Sequence, residues 1–307
     1  DISFVESATK DIIPLLKKGD LYIIESTSPV GTTEKMQDLI FRERPELENN
    51  LFIAYCPERV LPGNVMYELI ENDRVIGGVN EVSTKKAIRF YQKYVKGNLH
   101  PTDARTAEMC KLVENSSRDV QIAFANELSL ICDKAKINVT ELIDLANKHP
   151  RVNILKPGCG VGGHCIAVDP YFISSKFPEQ SKIIKLAREI NNYKPEWCIG
   201  KIKKAIFDFN RNSLRHPKVG ILGLSFKPDI DDLRESPALL IAKKINQSNL
   251  NCELYFFEPN IDSHDDLKIS NLKEKFDEID IVVALVKHKH FCDLDIKNKK
   301  LLNFCGL

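Results

Sequence analysis

The chain is short of the residues that would give it an easy label. One tryptophan and three methionines occur among 307 residues. Nine cysteines are present, an odd number, scattered from Cys56 to Cys305 with no CxxC pair. That argues against a structural zinc site and a disulfide framework, and predicts reduced thiols, most of them small buried hydrophobes, in a cytoplasmic protein. No stretch approaches the ~18 uninterrupted apolar residues of a membrane span, and no signal peptide is read at the start. Neither sign of charge dominates, with 44 Lys+Arg against 43 Asp+Glu. A broad nucleic-acid surface is therefore excluded. No repeat and no low-complexity segment interrupts the chain. What remains is an ordinary globular composition, 43% hydrophobic and 28% charged, long enough for two or three domains.

The pattern along the chain is α/β, then helical, then α/β. Up to residue 104, helix and strand signals alternate. Phe4 to Lys18 is predicted as a helix ended by Gly19, Leu21–Ile24 as a buried strand, and Gly31 to Arg42 as a helix. Leu51–Tyr55 and Arg74–Ile76 are predicted strands, and the alternation implies parallel layers. From 105 to 215 the apolar residues recur at three- and four-residue steps. Arg105–Ile137, Thr140–Lys148 and Ser181–Phe209 are predicted helices, the last kinked near Pro195. From 216 to 307 alternation returns, with strands at Val219–Leu222, Leu254–Phe257 and Ile281–Val286. Ser236 is predicted as the N-cap of a helix with Pro237 at its first position.

Several constellations could carry chemistry. The segment PGCGVGGHCIAVDP contains Gly158, Gly160, Gly162 and Gly163, a backbone able to approach a ligand closely. It spells G-x-G-x-x-G, but Pro157 stands where the preceding strand should run and no acid follows at the ribose-binding distance, so it is a decoy. Cys165 sits on this loop, as a reactive thiol would, or as a buried structural one. Cys159 is the competing thiol, and a Cys159–Cys165 disulfide or a metal site with His164 are further readings. Lys111 and Asn115 are i,i+4 neighbours. With Glu108 and Arg118 they form either a solvated stripe or a cation and an amide aimed at one oxyanion. Thr27 and Glu58 follow strands, where α/β proteins place ligands. Lys227 and Arg234 flank a helix start, a candidate anion site partly cancelled by Asp229, Asp231 and Asp232. His149-Pro150-Arg151 is a similar cationic loop.

The strings ESTSPVGTTEKM, YCPERVLPGN, RTAEMCKLVENSSRDVQIAFANELSLICD, HPRVNILKPGCGVGGHCIAVDPYF and VGILGLSFKPDIDDLRESPA resemble, in order, the UDP-glucose/GDP-mannose dehydrogenase family. GGHCIAVDP and CPERVLPG are most similar to the branch acting on UDP-N-acetyl-D-mannosamine. UDP-glucose members usually show GGSC and a second glutamate where Pro62 stands. The resemblance implies a truncated Rossmann-like domain (1–104, the remainder of an NAD-binding domain), a central helical domain (105–215) and a second Rossmann-like, UDP-sugar-binding domain (216–307). It implies NAD as cofactor, a UDP-sugar substrate, a homodimer built on the helix from Ser181, and no nucleic-acid or membrane partner. The amino-terminal G-x-G-x-x-G turn is missing, so the chain is expected to be an impaired fragment lacking about the first hundred residues of the family pattern.

The implied reaction oxidises a sugar C6 alcohol to a carboxylate by two hydride transfers, for surface polysaccharide synthesis. Cys165 is the implied nucleophile, forming a thiohemiacetal and then a thioester. Lys111 and Asn115 are implied to stabilise the oxyanion, Asp169 to relay protons, and Glu58 and Thr27 to position water and the substrate oxygen. Arg151, Asn153, Gly158, Gly162 and Lys227 are the implied substrate contacts. Arg234, Thr27 and Cys165 are the implied cofactor contacts. A UDP-glucose or other UDP-hexosamine 6-dehydrogenase, or a non-catalytic sugar-nucleotide-binding fragment, are the alternatives.

Overall fold

A computed structural model describes residues 2–60 and 64–307; Pro62, the branch-distinguishing position, lies outside them. The chain divides into two compact units, residues 1–115 with 171–180, and residues 116–170 with 181–307. Each is an α/β assembly, as predicted.

The first unit opens with helix α1 (Ser3–Ile12), which tightens into a 3-10 turn over Ile13–Leu15. The predicted helix ran on to Lys18. Pro14 stops it, because proline brings no N–H to the helical ladder and its ring clashes with the preceding turn. Strand β1 (Leu21–Ile24), α2 (Thr32–Glu43), β2 (Phe52–Tyr55), α3 (Val65–Glu71), β3 (Arg74–Gly78), α4 (Glu81–Tyr91) and β4 (Leu99–Asp103) follow, and α5 (Ala104–Ala135) begins here. The sheet order is β1-β2-β3-β4. β1–β2 and β3–β4 are parallel as expected, but β2 and β3 run antiparallel, through only two residue pairs, Ala54–Gly78 and Tyr55–Gly77. Side chains alternate across this sheet. Ile24, Ile53 and Tyr55 pack with Met36, Leu39 and Ile40 of α2 on one face. Ala54 and Ile76 pack with Ala87 and Tyr91 of α4 on the other.

The amino end of α2 is closed by a residue from far along the chain. Gly31, with φ +90, stands at its N-cap and offers no side chain. Glu108 of α5 supplies the acceptor instead. Its Oε2 takes Gly31 N–H at 2.5 Å, and its Oε1 takes Thr33 N–H at 2.7 Å and the Thr33 hydroxyl at 2.6 Å. Glu108 is fully buried, so the predicted solvated stripe is corrected at this position. Burial pushes its carboxyl pKa up, partly offset by the Thr33 and Gly31 donors.

The second unit takes the rest of α5, α6 (Val139–Ala146), the start of α7 (Asp169–Lys176), α8 (Lys182–Asn212), β5 (Lys218–Leu222), α9 (Pro237–Gln247), β6 (Glu253–Phe257), α10 (Leu272–Lys275), β7 (Ile281–Ala284) and β8 (Lys300–Asn303). α8 is continuous and carries Pro195 inside it. The sheet is fully parallel in order β6-β5-β7-β8. Both faces are covered, which is why its strands read as continuous apolar runs. Val219, Ile221, Ile281 and Val283 meet Ile202, Ile206, Ile241 and Ile245 of the helices on one face. Leu222, Val282, Phe257 and Phe276 meet on the other. Each such side chain contributes roughly 1.5–3 kcal/mol. Ser236 caps α9 as predicted, its hydroxyl accepting from Leu239 N–H at 3.2 Å and donating to Leu224 O at 2.6 Å. Among the described residues, no helix is long and apolar enough to cross a membrane.

Candidate functional site

In the first unit, the carboxy-terminal ends of β1 and β2 carry Thr27 and Glu58. Thr27 is half-buried in a turn tied by the Tyr55 hydroxyl to Ser26 O at 3.1 Å. Glu58 is exposed; its backbone N–H donates to Glu25 O at 3.2 Å and its carboxylate turns back to Val60 N–H. Glu25 is fixed in turn by the Tyr91 hydroxyl at 2.6 Å and by Arg74 at 3.7 Å. Next to Glu58, Arg59 pairs with Glu114 of α5 at 2.8 Å. Glu114 is an i,i+3 neighbour of Lys111 on the helix surface. The strand-end loop is thus fastened to the helix turn that also bears Lys111 and Asn115, both half-buried.

In the second unit, Cys165 is exposed, whereas Cys159 is buried, and the two are not joined in a disulfide. Cys159 belongs to the apolar core, and burial pushes its pKa up. Among the described residues, no three His, Cys, Asp or Glu side chains are arranged to hold a metal ion, which leaves the Cys159–His164–Cys165 metal reading without geometry. The carbonyl of Cys165 accepts from Val168 N–H and Asp169 N–H, at 3.1 and 2.8 Å. Asp169 is buried one turn after the sulfur, at the head of α7.

The glycine loop is held from two sides within this unit. At its entry, Gly158 N–H donates to Asn126 Oδ1 at 2.9 Å. Asn126 continues into a buried chain through Asn191 at 2.9 Å to Asp119 at 2.8 Å, where Arg188 pairs at 2.6 Å. Further on, Gly162 and Gly163 press against the segment after β5. A Cβ on Gly162 would lie 2.5 Å from Glu235 O, 2.7 Å from Pro237 Cδ and 2.9 Å from Phe226 Cβ. Gly163 has φ +79 over the Phe226 ring. Gly162→Ala should therefore force backbone apart and destabilise this unit by about 1–3 kcal/mol, read as a lowered denaturation midpoint; an unchanged midpoint would show the contact to be soft.

Lys227 and Arg234 lie on that same segment, at the carboxy-terminal end of β5 where the strand order reverses between β6 and β7, the ligand-binding position of open α/β sheets. Both are exposed. Arg234 pairs with Asp232 at 2.7 Å and draws its carboxyl down to about 2, so this cation is partly spent, as the neighbouring acids suggested. Arg151 and Asn153 are exposed on the loop after α6. That loop is clamped by Asn147, whose amide accepts from Ile154 N–H at 2.7 Å and donates to Ile154 O at 2.9 Å.

Sequence reasoning missed Asn147, Asn126, Glu258 and His288. Glu258 is buried just after β6 and accepts from Leu224 and Ser225 N–H at 2.7 and 3.1 Å, with His288 at 3.1 Å. An acid directly after the apolar run Tyr255–Phe257 was the available signal. It occupies the position where a Rossmann fold holds a ribose, yet here it is consumed in holding the loop that leads to Lys227.

Nicotinamide dinucleotides need a polar strand edge for the reactive ring and a helix amino end for the diphosphate. The first unit offers the former at Thr27 and Glu58. The amino end of α2 is filled by Glu108. These residues fit the ring end of the cofactor, and α2 supplies no diphosphate site.

Known proteins match along nearly the whole chain. Three profiles of the UDP-glucose/GDP-mannose dehydrogenase family align in order: the NAD binding domain over residues 1–95, the central domain over 105–193 and the UDP binding domain over 220–303. A UDP-N-acetyl-D-mannosamine dehydrogenase of Campylobacter jejuni is 51% identical, covering 99% of this chain and 77% of the relative. An NDP-N-acetyl-D-galactosaminuronic acid dehydrogenase of Ralstonia nicotianae is 49% identical over 96% of this chain and 71% of that protein. Among solved structures, the UDP-D-ManNAc dehydrogenase of Pyrococcus horikoshii superposes with a TM-score of 0.85 at 38% identity, covering 98% of this chain and 72% of that one. The expected impairment of the chain finds no support in these matches, which include the NAD binding domain. With matches to all three profiles and half its residues identical to a relative of which it spans three quarters, the chain belongs to the UDP-glucose/GDP-mannose dehydrogenase family.

Proposed function

We propose that the protein is an NAD-dependent UDP-N-acetyl-D-mannosamine 6-dehydrogenase acting by covalent catalysis at Cys165. The observation that carries this is the exposed position of Cys165 on a loop braced at Gly158 and Gly162. A backbone held on both sides fixes a nucleophile without burying it, which is what attack on an aldehyde requires. Bound NAD would accept the hydride in each oxidation. Thr27 and Glu58 would line its ring end and orient the substrate hydroxyl and the hydrolytic water, and Arg234 would meet its diphosphate. The Cys165 thiolate adds to the aldehyde carbon; the tetrahedral adduct loses hydride to become a thioester, and water releases the acid. Lys111 donates to the oxyanion at each tetrahedral stage, Asn115 assists it, and Asp169 takes the water's proton. Lys227, Arg151 and Asn153 hold the nucleotide and sugar, with the backbone at Gly158 and Gly162 as further contacts. We further propose the three-part division at 104 and 215, a homodimer built on α8, a cytoplasmic location and a role in surface polysaccharide synthesis.

Lys111→Ala should lower kcat by about 10²–10³ with little change in KM, because the missing donor acts on charge that develops after binding. A loss confined to KM would remove Lys111 from the chemistry. The substrate assignment is tested by calorimetry against NAD and a panel of UDP-sugars separately, followed by turnover. Preference for UDP-N-acetyl-D-mannosamine supports it; preference for UDP-N-acetyl-D-galactosamine favours the second reading, to which the Ralstonia relative points.

A further inference from the structure

Lys194 lies in the middle of α8 and is 1% exposed. Lysine is almost never this buried without a counter-charge. Its ammonium reaches the Ser129 hydroxyl, which itself donates to Asn126 O at 2.5 Å, and stands 4.2 Å from the centre of the Trp197 ring. Among the described residues, no carboxylate lies within ion-pair distance of it. The nearby Asp133 is already paired with Lys201. A hydroxyl and a π face compensate a desolvated ammonium only in part. Burial accordingly pushes the Lys194 pKa down.

This group lines a cavity of about 270 Å³ in the second unit, whose other walls include Ile137, Val139, Trp197, Leu302 and Phe304. Trp197 and Phe304 meet edge to face at 5.8 Å. The walls are divided almost evenly between apolar and polar groups, with one cation only partly compensated beside a Lys201–Asp133 pair. A cavity of ~150 Å³ already takes a benzene-sized guest. A dianion would ask for more donors than one ammonium offers, whereas a monoanion with an apolar body matches both features.

We propose that this cavity is a binding site for a small organic carboxylate, its charge on Lys194 and its apolar part against Trp197 and Phe304. Pro157, which opens the glycine loop of Cys165, lines the same cavity, so an occupant touches the segment that carries the nucleophile.

Trp197 is the sole tryptophan, so its fluorescence reports this cavity alone. Titration of the full chain with benzoate should change the emission saturably, and calorimetry should give the same midpoint; benzyl alcohol, the uncharged counterpart, should give neither. Lys194→Met should weaken benzoate at least ten-fold while its circular dichroism stays native. Should that variant fail to fold, Val139→Phe, which narrows the cavity from its edge, should weaken benzoate similarly. Absence of saturation, equal binding of benzyl alcohol, or benzoate binding undiminished in a folded variant would each overturn the site.

Discussion

Replacing Cys165 by serine is expected to lower steady-state NAD reduction by at least about 10³-fold, on the scale seen when a catalytic nucleophile is removed. The argument is chemical. An aldehyde carbon bears one hydride, and in its free form it gives that hydride up poorly. Addition of a thiolate converts it to a tetrahedral alkoxide that expels hydride readily, leaving a thioester that water can open. A serine hydroxyl ionises far less at neutral pH and makes a poorer leaving group, so the second oxidation and the release both suffer. The first oxidation needs no sulfur. Single-turnover measurement should therefore show two hydride equivalents per sugar in the native protein and no more than one in the variant. No other thiol of this loop can substitute. Cys159, six residues earlier, is in the core with its pKa pushed up by burial, and Cys198, beside it in the same apolar cluster, is pushed up to about 12. Wild-type turnover in Cys165→Ser would remove the covalent mechanism and leave a site that only binds.

The parts of this fold legible in the sequence are those set by local pattern. Leu21–Ile24 and Val219–Leu222 are apolar runs because both faces of their sheets are covered, and the strands lie where the runs do. Ser236-Pro237 announces a helix start through a cap and a fixed φ, both local properties. Pro14 is equally visible, and it ends α1 before the apolar pattern does. The antiparallel β2–β3 pairing was not legible, since two residue pairs ending in Gly77 and Gly78 leave almost no side-chain signature. The candidate site divides in the same way. Cys165 and its glycines stand in one short string. Their supports do not: Asn126 is 32 residues from Gly158, and Phe226 and Glu235 are further still. A sequence displays a reactive group well when its neighbours are sequential, and poorly when the groups that aim it arrive from other elements.

Glu108 offers the sharpest case of a long-range support, and removing it should cost the first unit more than any core methyl would. Glu108→Ala leaves three donors, Gly31 N–H, Thr33 N–H and the Thr33 hydroxyl, facing a cavity. At about 1–3 kcal/mol for each unsatisfied buried group, offset by water entering, a loss of roughly 3–5 kcal/mol is expected. Because α2 packs on β1 and β2, the strand ends carrying Thr27 and Glu58 should loosen with it, so hydrogen exchange should accelerate in α2 and β1 ahead of the second unit. Glu108→Gln keeps one oxygen for Thr33 but turns an amide donor towards Gly31, and should cost less than alanine. The pH dependence distinguishes the charge from the shape. The folded-state pKa of Glu108 lies above its unfolded value, because burial disfavours the carboxylate. Its contribution is therefore full below the unfolded pKa, ~4.3, and declines as pH rises through the folded one. Glutamine cannot titrate, so the stability gap between native protein and Glu108→Gln should narrow with rising pH across that window. A gap that widens instead would mean that the three donors outweigh burial and hold Glu108 as a stabilised anion at the head of α2.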